Sequence, residues 1–162
     1  YAQARLEYWL DPFADLQALG FQRIQSVLAI GSGRVMGLGL GNSRQKYLYI
    51  PEPQNDFVFS VVCEELGLVG ASIIVILFAL LVWRGYVIAI RAQDKFGTML
   101  AVGLTTQVGL QALLNIAVVT NTIPNTGISL PFFSYGGTAL MMLLAQMGVI
   151  LSVSRRAALE KQ

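Results

Sequence analysis

One carboxylate, Asp56, stands immediately before an apolar run, and the cationic patch Arg44-Gln45-Lys46 lies shortly upstream, with Pro51 and Pro53 between them. Where a helix starting at Phe57 enters lipid, Asp56 falls at the boundary of water and hydrocarbon, and the upstream cations are placed to hold an anionic head group. A carboxylate there can take a proton from an attacking hydroxyl, and cations can stabilise a phosphate-bearing leaving group. Such a site suits a substrate that is itself part lipid. Two plainer roles use the same residues: Asp56 as the N-terminal cap of the helix that follows, and Arg44 and Lys46 as solvated loop charges.

The elements that must position these groups are membrane elements. The 162 residues are 55% hydrophobic and 12% charged, which does not suit a water-facing surface. No charged residue occurs from residue 96 to residue 154. The opening residues YAQARLEYWLDPF have neither an initiator Met nor the pattern of a signal peptide, so the chain reads as the C-terminal piece of a longer protein. Cys63 is the single cysteine and reads as a small buried helix residue.

Residues 1–56 are expected to form an extracytoplasmic loop with interfacial or re-entrant helices. Within it, the apolar run from Val27 to Ile30 is too short to span a bilayer, and the glycines that follow, from Gly31 to Gly41, predict a flexible loop. Those glycines lack the preceding strand and the ending of a nucleotide-binding loop, so they read as turn and packing residues. Residues 57–162 are expected to carry three transmembrane helices, near 66–83, 98–119 and 136–153, in an all-α, polytopic fragment. The first contains 18 uncharged residues from Leu66 to Trp83, about 27 Å of helix.

On the first helix, Asp56, Ser60, Cys63, Gly67 and Gly70 share one small, polar face suited to close packing or to lining a cavity. Glu64 and Glu65 must face protein, water or a cation to be tolerated at this depth. On the second, Gln107, Gln111 and Asn115 repeat every four residues and make a stripe of amides, suited either to bonds between helices or to a polar cavity wall. Between the second and third helices, Pro124, Gly127, Pro131 and Gly136-Gly137 break the backbone within a segment too apolar for an ordinary solvent loop. The short segment with Arg84, Arg91, Asp94 and Lys95 and the tail with Arg155, Arg156, Glu160 and Lys161 each carry a net charge of +2, which assigns both to the cytoplasm. Residues 1–56 and 120–137 then fall together outside.

Three separated stretches, QSVLAIGSG, GLGLGNSRQKYLYIPEPQNDFVFSVVCEELGLVG and PNTGISLPFFSYGGTAL, resemble the FtsW/RodA/SpoVE (SEDS) membrane proteins, most closely the FtsW and SpoVE branch. The resemblance covers essentially the whole chain. It implies the last large extracytoplasmic loop and the final three helices of a protein of the cytoplasmic membrane. It also implies a peptidoglycan glycosyltransferase that polymerises lipid II into glycan strands in cell division or related wall synthesis. The family's essential aspartate falls on Asp56. Position 55 is Asn where many members carry Thr, and the segment from Thr120-Asn121 to Asn125-Thr126 replaces a more usual TG and PVTG pattern.

The chemistry agrees with that activity. Sugar transfer from a diphosphate-linked donor to a hydroxyl needs one base, against the two carboxylates of a typical glycoside hydrolase. Asp56 is the catalytic candidate. Arg44, Gln45, Lys46, Glu52 and Asn55 from the first loop, with Ser134, Tyr135, Gly136 and Gly137 from the second, make up the candidate substrate-binding set. The sequence calls for no cofactor of its own, and a divalent cation, Mg or Mn, is an option at the diphosphate. Expected partners are lipid II, the nascent glycan strand, a class B penicillin-binding protein and other division proteins, with no nucleic acid. A lipid II flippase and a non-catalytic scaffold of the division machinery are the competing readings.

Overall fold

The computed structural model describes residues 19–39, 58–124, 127–133 and 136–159, and these contain helices and turns but no strand. Four helices are seen: α1 (Leu19–Ser32), α2 (Val58–Arg91), α3 (Lys95–Val119) and α4 (Gly137–Leu159). The last three are long and apolar enough to cross a membrane. In hydrocarbon every backbone polar group must be satisfied within the protein, so long uncharged segments fold as helices. All three helices run past the uncharged stretches that announced them. Helix α2 continues through Arg84 to Arg91, and α4 continues beyond Arg155 and Arg156. Helix α3 begins at Lys95 because Asp94 caps it, its side chain accepting from the Gly97 amide at 2.9 Å. A charged residue ends the hydrocarbon-compatible stretch without ending the helix.

Helices α2 and α3 form an antiparallel pair joined by residues 92–94. Without a hydrophobic force to drive helices together in lipid, their association depends on close backbone approach over small residues. The pair supplies these residues in register. A Cβ on Gly85 would lie on the Thr105 hydroxyl and 2.6 Å from its Cγ2, and one on Gly109 would lie 2.9 Å from Val82 Cγ2. The Tyr86 and Thr106 hydroxyls share a hydrogen bond of 2.9 Å beside the crossing.

At the opposite end of the pair, the chain between α3 and α4 turns back into the protein. Asn121 takes the left-handed conformation, φ 60, that closes the C-terminus of α3. Leu130 and Pro131 are fully buried. Leu130 joins Phe59, Cys63, Ala71, Ile74 and Phe78 of α2 and Ala112 and Val119 of α3 in one buried cluster, with Phe132 packed on it.

The amide stripe of α3 explains how irregular backbone survives there. Asn115 Nδ2 donates to the Ile128 carbonyl at 2.7 Å, and Gln111 Nε2 donates to the Ser129 carbonyl at 3.1 Å. Gln111 and Asn115 thus bond the returning segment, while Gln107 is exposed. Replacing Asn115 with Leu leaves the half-buried Ile128 carbonyl without this donor, a loss of about 1 kcal/mol. Thermal unfolding in micelles is expected to show that decrease, together with faster proteolysis within residues 120–136; an unchanged transition would remove the amide from this role.

The glycine-rich segment after α1 departs from expectation most. Residues 33–39, predicted to be a flexible loop, form an ordered strap against α2. Gly67 has φ 67 and ψ −167, so the backbone of α2 breaks there. In an unbroken helix the amides of Leu68 and Val69 would donate to the carbonyls of Glu64 and Glu65. Instead Leu68 donates to the Arg34 carbonyl at 3.0 Å and Val69 to the Val35 carbonyl at 3.3 Å. The carbonyls of Glu64 and Glu65 receive the amides of Leu38 at 3.0 Å and Gly39 at 3.1 Å. Two helical bonds are exchanged for four between strap and helix. Ser26 of α1 also donates to the Val119 carbonyl at 3.1 Å, tying α1 to the end of α3.

Candidate functional site

The residues singled out for chemistry in the first loop, Arg44, Gln45, Lys46, Glu52, Asn55 and Asp56, lie outside the described residues, as do Ser134 and Tyr135 of the second. Gly136 and Gly137 are described: the Gly136 carbonyl accepts from Leu140 at 2.9 Å in the first turn of α4. A Cβ on Gly137 would meet nothing within 4 Å, so helix packing among the described residues does not require glycine there.

What the structure does define is the frame around these two segments. The first segment leaves the frame at Gly39, bonded to the Glu65 carbonyl, and rejoins it at Val58, the first residue of α2. The second leaves at Phe133 and rejoins at Gly136. Phe133 sets its ring 6.4 Å from that of Phe78, the planes 52° apart. Phe59, in the first turn of α2, and Leu130, just before Phe133, belong to the same buried cluster. The helix that follows Asp56 and the segment that precedes Ser134 are therefore parts of one packed unit.

Of the small face expected on α2, Asp56 lies outside the described residues; Ser60, Cys63 and Gly67 are buried and Gly70 is half-buried. A Cβ on Gly33 of the strap would lie on the Cys63 carbonyl oxygen, so Cys63 is covered by backbone. Glu64 is 1% exposed and points into the protein, as its depth demands. Among the described residues no group of three or more His, Cys, Asp or Glu side chains is arranged to hold a metal ion.

Sequence reasoning missed the strap as a structural element and the target of Gln111 and Asn115. Neither was written along the chain: only the fold shows that Gly33, Gly37 and Gly67 lie where a side chain would strike backbone, and that Gln111 and Asn115 reach the carbonyls of Ser129 and Ile128.

A family model described as a cell cycle protein of the FtsW, RodA and SpoVE type matches residues 1–159. The chain belongs to the FtsW/RodA/SpoVE family. Stage V sporulation protein E of Bacillus subtilis is 49% identical to it over 155 residues, covering 96% of this chain and 42% of that protein. A probable peptidoglycan glycosyltransferase FtsW of Geobacter metallireducens is 47% identical over 156 residues, with the same shares. Among solved structures, a chain from a peptidoglycan synthase complex, described as coordinating polymerization and crosslinking, superposes with a TM-score of 0.75 at 30% identity, over 96% of this chain and 42% of its own. A mutant of the rod shape determining protein RodA of Thermus thermophilus superposes with a TM-score of 0.62 at 35% identity, over 80% of this chain and 39% of its own. The chain thus spans about two-fifths of the length of these FtsW/RodA/SpoVE relatives. The three long apolar helices are the membrane-spanning type expected of that family.

Proposed function

We propose that the protein to which this chain belongs is a peptidoglycan glycosyltransferase, polymerising lipid II into glycan strands at the outer face of the cytoplasmic membrane. The observation that carries the reading is the shared cluster of Phe59 and Leu130, which ties the helix following Asp56 to the segment preceding Ser134 and Tyr135. Both lie at the end of the bundle away from Arg84, Arg91, Lys95, Arg155 and Arg156, the side the charge pattern assigns to the cytoplasm. Relatives named as probable peptidoglycan glycosyltransferases agree with it.

In this reading Asp56 accepts the proton of the acceptor hydroxyl as that oxygen attacks the anomeric carbon of the donor. The bond from that carbon to the diphosphate breaks, and the negative charge developing on the diphosphate is met by Arg44 and Lys46. The rings of Phe132 and Phe133 stand beside the polyprenyl chain, and Ser134 and Tyr135 beside the sugar-diphosphate. A class B penicillin-binding protein is the partner that would crosslink the strands; the solved synthase complex supports this pairing. The direct test is the full-length protein, purified with its partner and given defined lipid II: glycan strands resolved by gel support the reading, and lipid II recovered unchanged refutes it.

Removing both Arg44 and Lys46 is expected to lower kcat/KM for lipid II by on the order of 10- to 100-fold, the worth of charge-assisted bonds of about 1.5–3 kcal/mol. The unfolding transition should stay within about 0.5 kcal/mol, since solvated loop charges contribute little to folding. Unchanged kinetics in the double variant would make both residues bystanders.

A further inference from the structure

We infer that the strap from Arg34 to Gly39 and the break at Gly67 form a positioning joint, which fixes the two points between which the segment carrying Asp56 must run. The inference rests on the reading of Asp56 as the base, and its geometry is independent of that reading. Gly39 is bonded to the Glu65 carbonyl, and the described chain resumes at Val58, on the same half-helix, Val58–Leu66. Holding both ends of a segment on one rigid piece removes part of the freedom that would otherwise separate a base from its substrate.

The joint tolerates only glycine at its contacts. Gly37 and Gly67 both have left-handed φ, 77 and 67. A Cβ on Gly67 would lie on the Gly37 amide nitrogen and 2.6 Å from the Val35 carbonyl oxygen. One on Gly37 would lie on the Glu65 carbonyl oxygen and 2.7 Å from the Gly67 amide nitrogen. These obstacles are backbone atoms that share in or adjoin the four strap bonds, so no side-chain rotation relieves them. Alanine at position 67 favours the unbroken helix, in which the amides of Leu68 and Val69 return to Glu64 and Glu65 and the strap loses its partners. The half-helix then changes direction relative to the rest of α2. Six residues of helix measure about 9 Å, so a change in bend of about 20° moves Val61 by about 3 Å. A shift of 1 Å at reacting groups can cost a hundredfold in rate.

The test is made on the full-length protein in the membrane, by amide hydrogen exchange and by turnover of lipid II. Gly67→Ala is expected to free the amides of Leu38 and Gly39 to exchange, since their carbonyl acceptors return to the helix, and to lower kcat on lipid II by about 100-fold, with apparent KM changed less than about threefold. Gly31→Ala, where a Cβ meets nothing within 4 Å, is expected to change neither. Unchanged protection of Leu38 and Gly39 in Gly67→Ala overturns the joint, and lost protection with wild-type kcat overturns its positioning role. If Gly67→Ala does not insert, exchange in the wild-type protein decides. Leu38, Gly39, Leu68 and Val69 should be as protected as the interior of α2, and free exchange at these four rejects the joint. The exchange measurements hold whether or not Asp56 is the base, so an active Asp56→Asn variant would sink the catalytic reading without touching them.

Discussion

Asp56→Asn is expected to lower lipid II polymerisation by on the order of 10²- to 10⁴-fold, the range lost when a general base is removed. The amide keeps the shape of the carboxylate and most of its hydrogen bonds but cannot accept the proton that the attacking hydroxyl must lose. If Asp56 serves instead as a helix cap, Asn is among the residues that replace it best, and the variant should behave as wild type. The single substitution thus separates the two roles left open by the sequence. Unfolding of the variant in micelles should stay within about 1 kcal/mol of wild type, so lost activity cannot be assigned to lost fold. Retained polymerisation in purified Asp56→Asn would remove the catalytic assignment.

The second large effect is on the membrane-spanning pair. Gly85→Leu is expected to destabilise the folded protein by about 1–3 kcal/mol, the usual cost of forcing extra methylenes into a packed contact. The Cβ alone would occupy the Thr105 hydroxyl, and Thr105 is fully buried with no room to turn away. The helices must separate at the crossing and give up the contacts around Val82, Gly109 and the Tyr86–Thr106 bond. Gly103→Leu is the matched control: it adds the same side chain to α3 where a Cβ meets nothing within 4 Å, and it should change stability by no more than about 0.5 kcal/mol. Equal destabilisation of the two variants in denaturant titrations would show that the register of α2 and α3 is not the one described.

The three long helices were legible because an uncharged stretch has few other structures open to it in a membrane. Their ends were not, since Arg84, Arg91, Arg155 and Arg156 mark where lipid stops and say nothing of where backbone bonding stops. The returning segment could be read from Pro124, Gly127 and Pro131, and the burial of Leu130 and Pro131 follows from its apolar composition. What Gln111 and Asn115 bond could not be read, because a stripe of amides looks the same whether it faces a helix or a loop. The strap was the largest surprise. Glycines at 33, 37 and 39 signal freedom when read along the chain, and only the partner at residues 63–69 turns that freedom into a close backbone fit. For the candidate site, Asp56 was singled out by its charge at an apolar boundary, and the cluster that joins Phe59 to Leu130 could be seen only in the tertiary contacts.

The bond from Ser26 to the Val119 carbonyl has a consequence for biogenesis. The partners are separated by 93 positions, and the strap's own partners on α2 are also made later than the strap. Synthesis runs from Ser26 and the strap toward these partners, so the strap leaves the ribosome before residues 64–69 and Ser26 before Val119. The strap's amides and carbonyls must find water or another partner until α2 has formed, because unpaired backbone does not enter hydrocarbon. Within this chain, the earlier segment therefore docks after the helices that follow it.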